Sequence, residues 1–109
     1  MKYTVHVAPE TRRDIMTLCI EHSRFSRHLP GCLSHDVHIN CEHSHQLVFI
    51  EFWRDIAAVR RTFLMPETRE FVRDVTARSA APPEIKLFSA EELTRDALTG
   101  GATTLPPRF

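Results

Sequence analysis

Seven histidines, three cysteines, one tryptophan and one tyrosine stand among 109 residues, and their placement bounds the chemistry the chain can do. His22 is the most informative. It follows Ile15 by seven residues and shares a helical stripe with Leu18, Cys19 and Phe25, so it points at whatever that stripe packs on. An imidazole held there can act as a general base near neutral pH. The competing reading, and the commoner outcome, is a hydrogen-bonded core histidine. Glu51 and Trp53 share the strand parity of Phe49. Trp53 can wall a pocket and donate its indole N–H to a bound oxygen, or serve only as a packing anchor. Glu51 can be a base or pair with an arginine across the core. Arg73 can steady an anion, against the plainer reading of a surface arginine on a helix whose inward residues are Phe71, Val72 and Val75. His6 and His35 fall in strands and can face a cavity, but which face each takes is left open.

His35, His38, His43 and His45 crowd one stretch of chain and invite a metal reading. Zinc needs three or four convergent ligands with supporting partners. His35 and His38 differ by three positions in a strand and so point to opposite faces, while His43 and His45 sit in a loop. No functional metal site is expected. Cys19, Cys32 and Cys41 have no CxxC spacing and an odd count. Reduced thiols in a cytoplasm are the expectation, with Cys19 as core filler.

The elements that must position these groups follow from periodicity. Lys2 to Ala8 alternates as a half-buried strand ended by Pro9. Thr11 and Asp14 have capping-box spacing. They open an amphipathic helix of about five turns that carries Ile15, His22, Phe25 and Leu29 and stops at Pro30-Gly31. Arg12, Arg13, Glu21, Arg24 and Arg27 are expected to face away from the core. Cys32 to Asn40 alternates again around Leu33, Val37 and Ile39, and a polar loop leads into Gln46 to Trp53. That strand is apolar on both parities, with Leu47, Phe49 and Trp53 on one side and Val48, Ile50 and Phe52 on the other. Such a strand is buried on both faces.

Asp55 can cap a short helix with Ile56, Val59 and Phe63, and Pro66 breaks it and starts another through Phe71, Val72 and Val75. Pro82-Pro83 is expected to end that helix, Ile85 to Phe88 to form a last strand, and Ser89 to Leu98, with Glu92 at capping-box spacing, to add a helical turn. Gly100-Gly101 and Pro106-Pro107 mark a loose tail.

The order is βαββαβ, an α+β ferredoxin-like antiparallel sheet with helices on one face. The other face of the third strand needs a cover. A second copy of the same sheet supplies it, as a homodimer with a barrel-like shared core; the polar tail is the weaker alternative. Hydrophobic residues make up 42%, charged residues 26%, and the net charge is zero. No basic footprint for nucleic acid exists, no apolar run approaches a bilayer's span, and the N-terminus has no apolar signal-like core.

The Pro30-Gly31-Cys32 turn, Glu51-x-Trp53 and the helix-Pro-helix segment through Phe71 and Val72 together resemble the antibiotic biosynthesis monooxygenase domain family, of the dimeric α/β-barrel superfamily. The resemblance covers residues 2–89 and leaves 90–109 as a C-terminal extension. It implies cofactor-free oxidation of a phenol, quinol or anthrone by molecular oxygen in a dry aromatic pocket, with no metal or flavin. It also implies an apolar aromatic small molecule as ligand. Anthrone-oxidising members use an asparagine, tryptophan, tyrosine and arginine set. Carried over singly, the tryptophan falls on Trp53 and the arginine on Arg73, whereas Phe49 and Val59 occupy the asparagine and tyrosine positions. The haem-degrading branch wants an asparagine on the first strand and a tryptophan and histidine on the second helical segment. His6 and Val7, Thr62 or Phe63, and Val72 or Arg73 stand there instead, so that branch is disfavoured. The expected site comprises His22, Trp53 and Arg73 as catalytic groups, with Phe49, Glu51, His6, His35, Val59 and Phe63 around the substrate. An isomerase working through an enolate and a non-catalytic ligand-binding dimer are the alternatives on the same fold.

Overall fold

A computed structural model describes residues 1–101 of the chain; Pro106-Pro107 lie outside the described residues. The elements run β1 (Lys2–His6), α1 (Arg12–Ser26), β2 (Cys32–Ile39), β3 (Gln46–Trp53), α2 (Ile56–Leu64), α3 (Pro66–Arg78) and β4 (Ala81–Lys86), followed by a 3-10 turn at Arg95–Thr99. The strands form one sheet in the order β2-β3-β1-β4, every pair antiparallel. This is the ferredoxin-like α+β arrangement that the element order predicts.

One sheet face carries the core. Tyr3, Val5 and Val7 from β1 and its exit pack with Leu47 and Phe49 of β3, Ile15 and Cys19 of α1, and Phe71 and Val75 of α3. The period of two in the strands meets the inward stripe of the helices, which is why alternation and helical spacing both read correctly here. The other face of β3 is not buried by the described residues. Val48 and Ile50 are half-buried and Phe52 is 54% exposed.

Pro66 breaks the helical segment as expected, taking the first position of α3, where its missing N–H has no intrahelical partner to lose. Asp55 caps α2, its carboxylate accepting the Ala58 N–H at 2.9 Å. Gly31 sits at φ 81°, and a Cβ there would stand 2.5 Å from the Ala58 Cβ. Only glycine meets both demands, and the turn closes when the Arg54 N–H reaches the Gly31 carbonyl at 2.8 Å.

Several boundaries differ from the sequence expectation. Thr11 caps no N–H with its side chain. Its hydroxyl donates instead to the Arg78 carbonyl at 3.2 Å, tying the start of α1 to the end of α3. Helix α1 stops at Ser26, short of Leu29. Arg27 does not face away. It folds back so that Nε donates to the His35 carbonyl at 2.9 Å. Helix α3 ends at Arg78, and Pro82 and Pro83 lie inside β4, which covers Ala81–Lys86 rather than Ile85 to Phe88. An edge strand tolerates proline because one row of its N–H groups has no neighbour to bond. The last helical element is a 3-10 turn beginning at Arg95, not an α-turn capped by Ser89.

Candidate active site

The site grows from one pairing in the sheet. His35 on β2 lies directly opposite Glu51 on β3, so their side chains rise together on the helix-covered face. Both are buried, at 1% and 5% exposure, and His35 Nε2 stands 3.3 Å from Glu51 Oε1. Trp53, two residues along on the same face, donates its indole N–H to that same Oε1 at 2.9 Å. From above, α1 lowers Ser23. Its oxygen lies 2.8 Å from His35 Nδ1, and its hydroxyl donates to the His35 carbonyl at 2.9 Å. Ser23, His35, Glu51 and Trp53 thus form one buried polar chain within an apolar core, where each bond is stronger than in water and each broken one costlier.

An aromatic floor surrounds it. Phe71 of α3 stacks on His22 with centroids 3.8 Å apart and planes within 2°. Phe49 meets Phe71, His22, His35 and Tyr3 edge to face. His22 Nε2 lies 3.4 Å from the Ser26 hydroxyl oxygen. Burial, then the neighbouring His35, pushes the His22 pKa down to about 4, only partly offset by Glu51. At neutral pH this imidazole is therefore uncharged, and it is a weaker base than an ordinary histidine. Burial raises Tyr3 to about 12, helped by Cys19 and Glu51, so its phenol stays protonated.

A cavity of about 20 Å³ opens between helices and sheet, lined by His22, His35, Phe49, Glu51, Phe63 and Thr68 among others. It has room for roughly one water-sized molecule. Thr68 is 2% exposed, and its hydroxyl has no hydrogen-bond partner among the described residues. Phe63 and Val72 also line an outer groove of about 470 Å³ with Arg69, Arg73, Thr76 and Ala77, a volume typical of small-molecule sites. Phe63 and Val72 thus border both the inner cavity and the outer groove.

The structure brings His22, His35, Phe49, Glu51 and Phe63 together at the inner cavity. Trp53 stands behind Glu51 with its indole N–H already engaged. Arg73 is elsewhere. Its side chain is 74% exposed and 4.0 Å from Asp74, reaching the outer groove but not the cavity. His6 pairs with Glu84 at 3.0 Å, away from the site, and Val59 is buried in α2 without lining the cavity. Sequence reasoning missed Ser23, Thr62 and Thr68. Ser23 was legible in principle: Ile15, Cys19 and Ser23 repeat every four residues on the inward stripe. Among the described residues no three His, Cys, Asp or Glu side chains converge as a metal would require.

A curated relative, an uncharacterized protein from Synechocystis sp., is 30% identical over 88 residues, covering 81% of this chain and 60% of its own length. The chain therefore spans less than two thirds of that relative. Among solved structures, one described as an antibiotic biosynthesis monooxygenase superposes with TM-score 0.76 at 24% identity, covering 82% of this chain and 94% of its own. A Pseudomonas aeruginosa protein superposes with TM-score 0.72 at 28% identity, covering 82% and 90% respectively. The model of the antibiotic biosynthesis monooxygenase family matches residues 3–74, from β1 into α3 and across every strand that builds the cavity. The chain belongs to the antibiotic biosynthesis monooxygenase family.

Proposed function

We propose that the chain is a cofactor-independent monooxygenase acting on an aromatic, quinol or anthrone-like molecule. The observation that carries this reading is the buried aromatic cavity with proton-carrying groups, His22, His35 and Glu51, in its wall. The reaction class needs little more. A weakly acidic phenol or carbon acid loses a proton, and its anion reduces molecular oxygen directly. For a carbon acid the overall change converts an activated methylene and one dioxygen into a carbonyl and one water. All four electrons come from the substrate. His22, uncharged at neutral pH, takes the proton; Phe49 and Phe71 hold the ring by edge and face contact. Arg73, with Arg69, draws the anionic form to the outer groove. Substrate then reaches the inner cavity by displacing Phe63.

A homodimer fits the same reading. Val48, Ile50 and Phe52 form an outer-face apolar patch edged by polar register neighbours on β1 and β2, namely Lys2, Thr4, Ser34, Asp36 and His38. A second copy of the sheet would cover it. Three free thiols suit a reducing cytoplasm.

The test is oxygen uptake with a panel of hydroquinones and anthrones, without added flavin or metal. Uptake that falls at least about 100-fold in His22→Ala, with fold and dimer intact, supports the enzyme. One observation favours a second reading: at about 20 Å³ the inner cavity is nearly filled by side chains. A folded dimer that consumes no oxygen with any member of the panel, yet binds an apolar aromatic, would make it a binding module.

A further inference from the structure

We propose that His35 and Glu51 hold one proton between Nε2 and Oε1, that Ser23 and Trp53 keep it there, and that this pair is the proton donor of the cavity. The donor role rests on the oxygenase reading above; the location of the proton does not.

The hydrogens at the site can be counted. The Ser23 hydroxyl has one, and a carbonyl can only accept, so the 2.9 Å contact to the His35 carbonyl spends it. The 2.8 Å contact between Ser23 Oγ and His35 Nδ1 must then be made by a proton on Nδ1. A neutral imidazole has only one N–H, so a neutral His35 would turn a bare Nε2 lone pair toward Glu51 Oε1, 3.3 Å away. An ionised carboxylate would add a second lone pair to that contact, with both residues out of water. Two acceptors facing each other in a buried site are costly. One proton between them resolves the contact, as imidazolium with carboxylate or as imidazole with carboxylic acid.

No other cation does this work among the described residues. The guanidinium of Arg27, beside the pair, is turned to the His35 carbonyl and to Asp36. The Met1 ammonium reaches the Glu51 carbonyl at 2.7 Å, not its carboxylate. The remaining titratable neighbours are His22 and Cys19 on α1, Tyr3 on β1, and Cys32 and Asp36 on β2. From α2 and α3 the cavity receives only Thr62, Phe63, Thr68, Phe71 and Val72, which do not titrate. Trp53 completes the arrangement, because its N–H on Oε1 holds the carboxylate in register with the imidazole.

The consequence for a reaction at the cavity is a division of labour. His22 takes a proton from the substrate, and the His35–Glu51 pair gives one to the oxyanion formed after oxygen attack. In that step the Nε2–H or Oε1–H bond breaks, an O–H bond forms on the intermediate, and a neutral Nδ1–H imidazole is left opposite a carboxylate. The proton held by His22, whose ring centroid lies 5.6 Å from that of His35, is the one that restores the pair. Proton gain and loss balance within one turnover. Ser23 and Trp53 act through the pair and are positioning residues.

Long-range 1H–15N correlation spectra of the full chain at pH 7 test the proton directly. The expected wild-type pattern has His35 protonated at Nδ1 and sharing a proton at Nε2, beside a neutral His22. Glu51→Gln, nearly isosteric, should convert His35 to the neutral Nδ1–H tautomer, and Ser23→Ala should release the tautomer lock. A wild-type His35 that is neutral with its proton on Nε2, or one that shows no proton shared between Nε2 and Glu51, overturns the proposal. The wild-type spectrum decides this even if a variant fails to fold. In the oxygen assay, Glu51→Gln should lower kcat by about 100-fold with KM little changed. Undiminished kcat in that variant overturns the donor role. The expected spectra in a protein without oxygenase activity would leave the shared proton standing and remove only the oxygenase reading.

Discussion

The two faces of β3 are made from one run of eight residues, yet they live in different solvents. On the inner face Leu47, Phe49 and Glu51 are 2%, 1% and 5% exposed. On the outer face Val48 and Ile50 are half-buried and Phe52 is largely open. The inner face is dry because α1 and α3 cover it, and dryness gives the His35–Glu51 contact its leverage, since a low dielectric strengthens kept bonds and penalises lost ones. The outer face of β3 carries Val48, Ile50 and Phe52, with no counterpart of Glu51. Residue type and burial together separate the site from the surface.

The comparison breaks most sharply with truncation. Phe49→Ala should cost about 3–5 kcal/mol of folding stability, because the side chain is buried among Tyr3, His22, His35 and Phe71 and leaves a cavity. Phe52→Ala on the outer face of the single chain should cost far less. Denaturant unfolding of both variants measures the difference, and equal losses would abolish the distinction between the faces.

The next effect is a pH dependence confined to the inner face. His22 has a folded pKa of about 4 against an ordinary value of 6.5. The unfolded chain therefore binds a proton that the folded one refuses. The contribution of His22 is full above about pH 6.5, is lost as pH drops through the interval, and is gone below about pH 4. The loss is on the order of 3 kcal/mol, from about 1.4 kcal/mol per pH unit. His22→Phe should flatten this part of the profile. A wild-type stability unchanged between pH 7 and pH 4.5 would show that the ring is not buried as described.

Smaller is the effect at Thr68, whose buried hydroxyl has no partner among the described residues. Thr68→Val keeps the shape and removes the unsatisfied group, so thermal unfolding should show no loss, or a gain of about 1 kcal/mol. Destabilisation of that size would mean the hydroxyl is bonded in solution. Smallest for the single chain, but informative about assembly, is Phe52→Asp. As an exposed substitution it should change the stability of a monomer by about 0.5 kcal/mol or less. If the outer face joins two copies, the same change should weaken the dimer by more than about tenfold in sedimentation. An unaffected dimer would place the interface elsewhere.

The legible and illegible parts of this chain divide by distance along the sequence. The order βαββαβ, the parity of β3, the break at Pro66 and the cap at Asp55 are local patterns, set by backbone periodicity and by groups a few residues apart, and all appear in the structure. Pro82 and Pro83 read as a helix stop, but they sit in β4, because a strand's place at the sheet edge depends on its partners, not on its own residues. Thr11 has cap spacing, yet it bonds to Arg78, 67 positions away.

The site follows the same rule. The sequence by itself determined that His22 points inward, that Glu51 and Trp53 share a face with Phe49, and that the outer side of β3 is apolar, since each follows from a period of 3.6 or 2. Only the tertiary structure decided that His35 meets Glu51 and that Ser23 comes down upon it, while Arg73 stays outside. Strand register and helix approach set those contacts between elements with no local signal for one another, and burial of the assembled face gives them their strength.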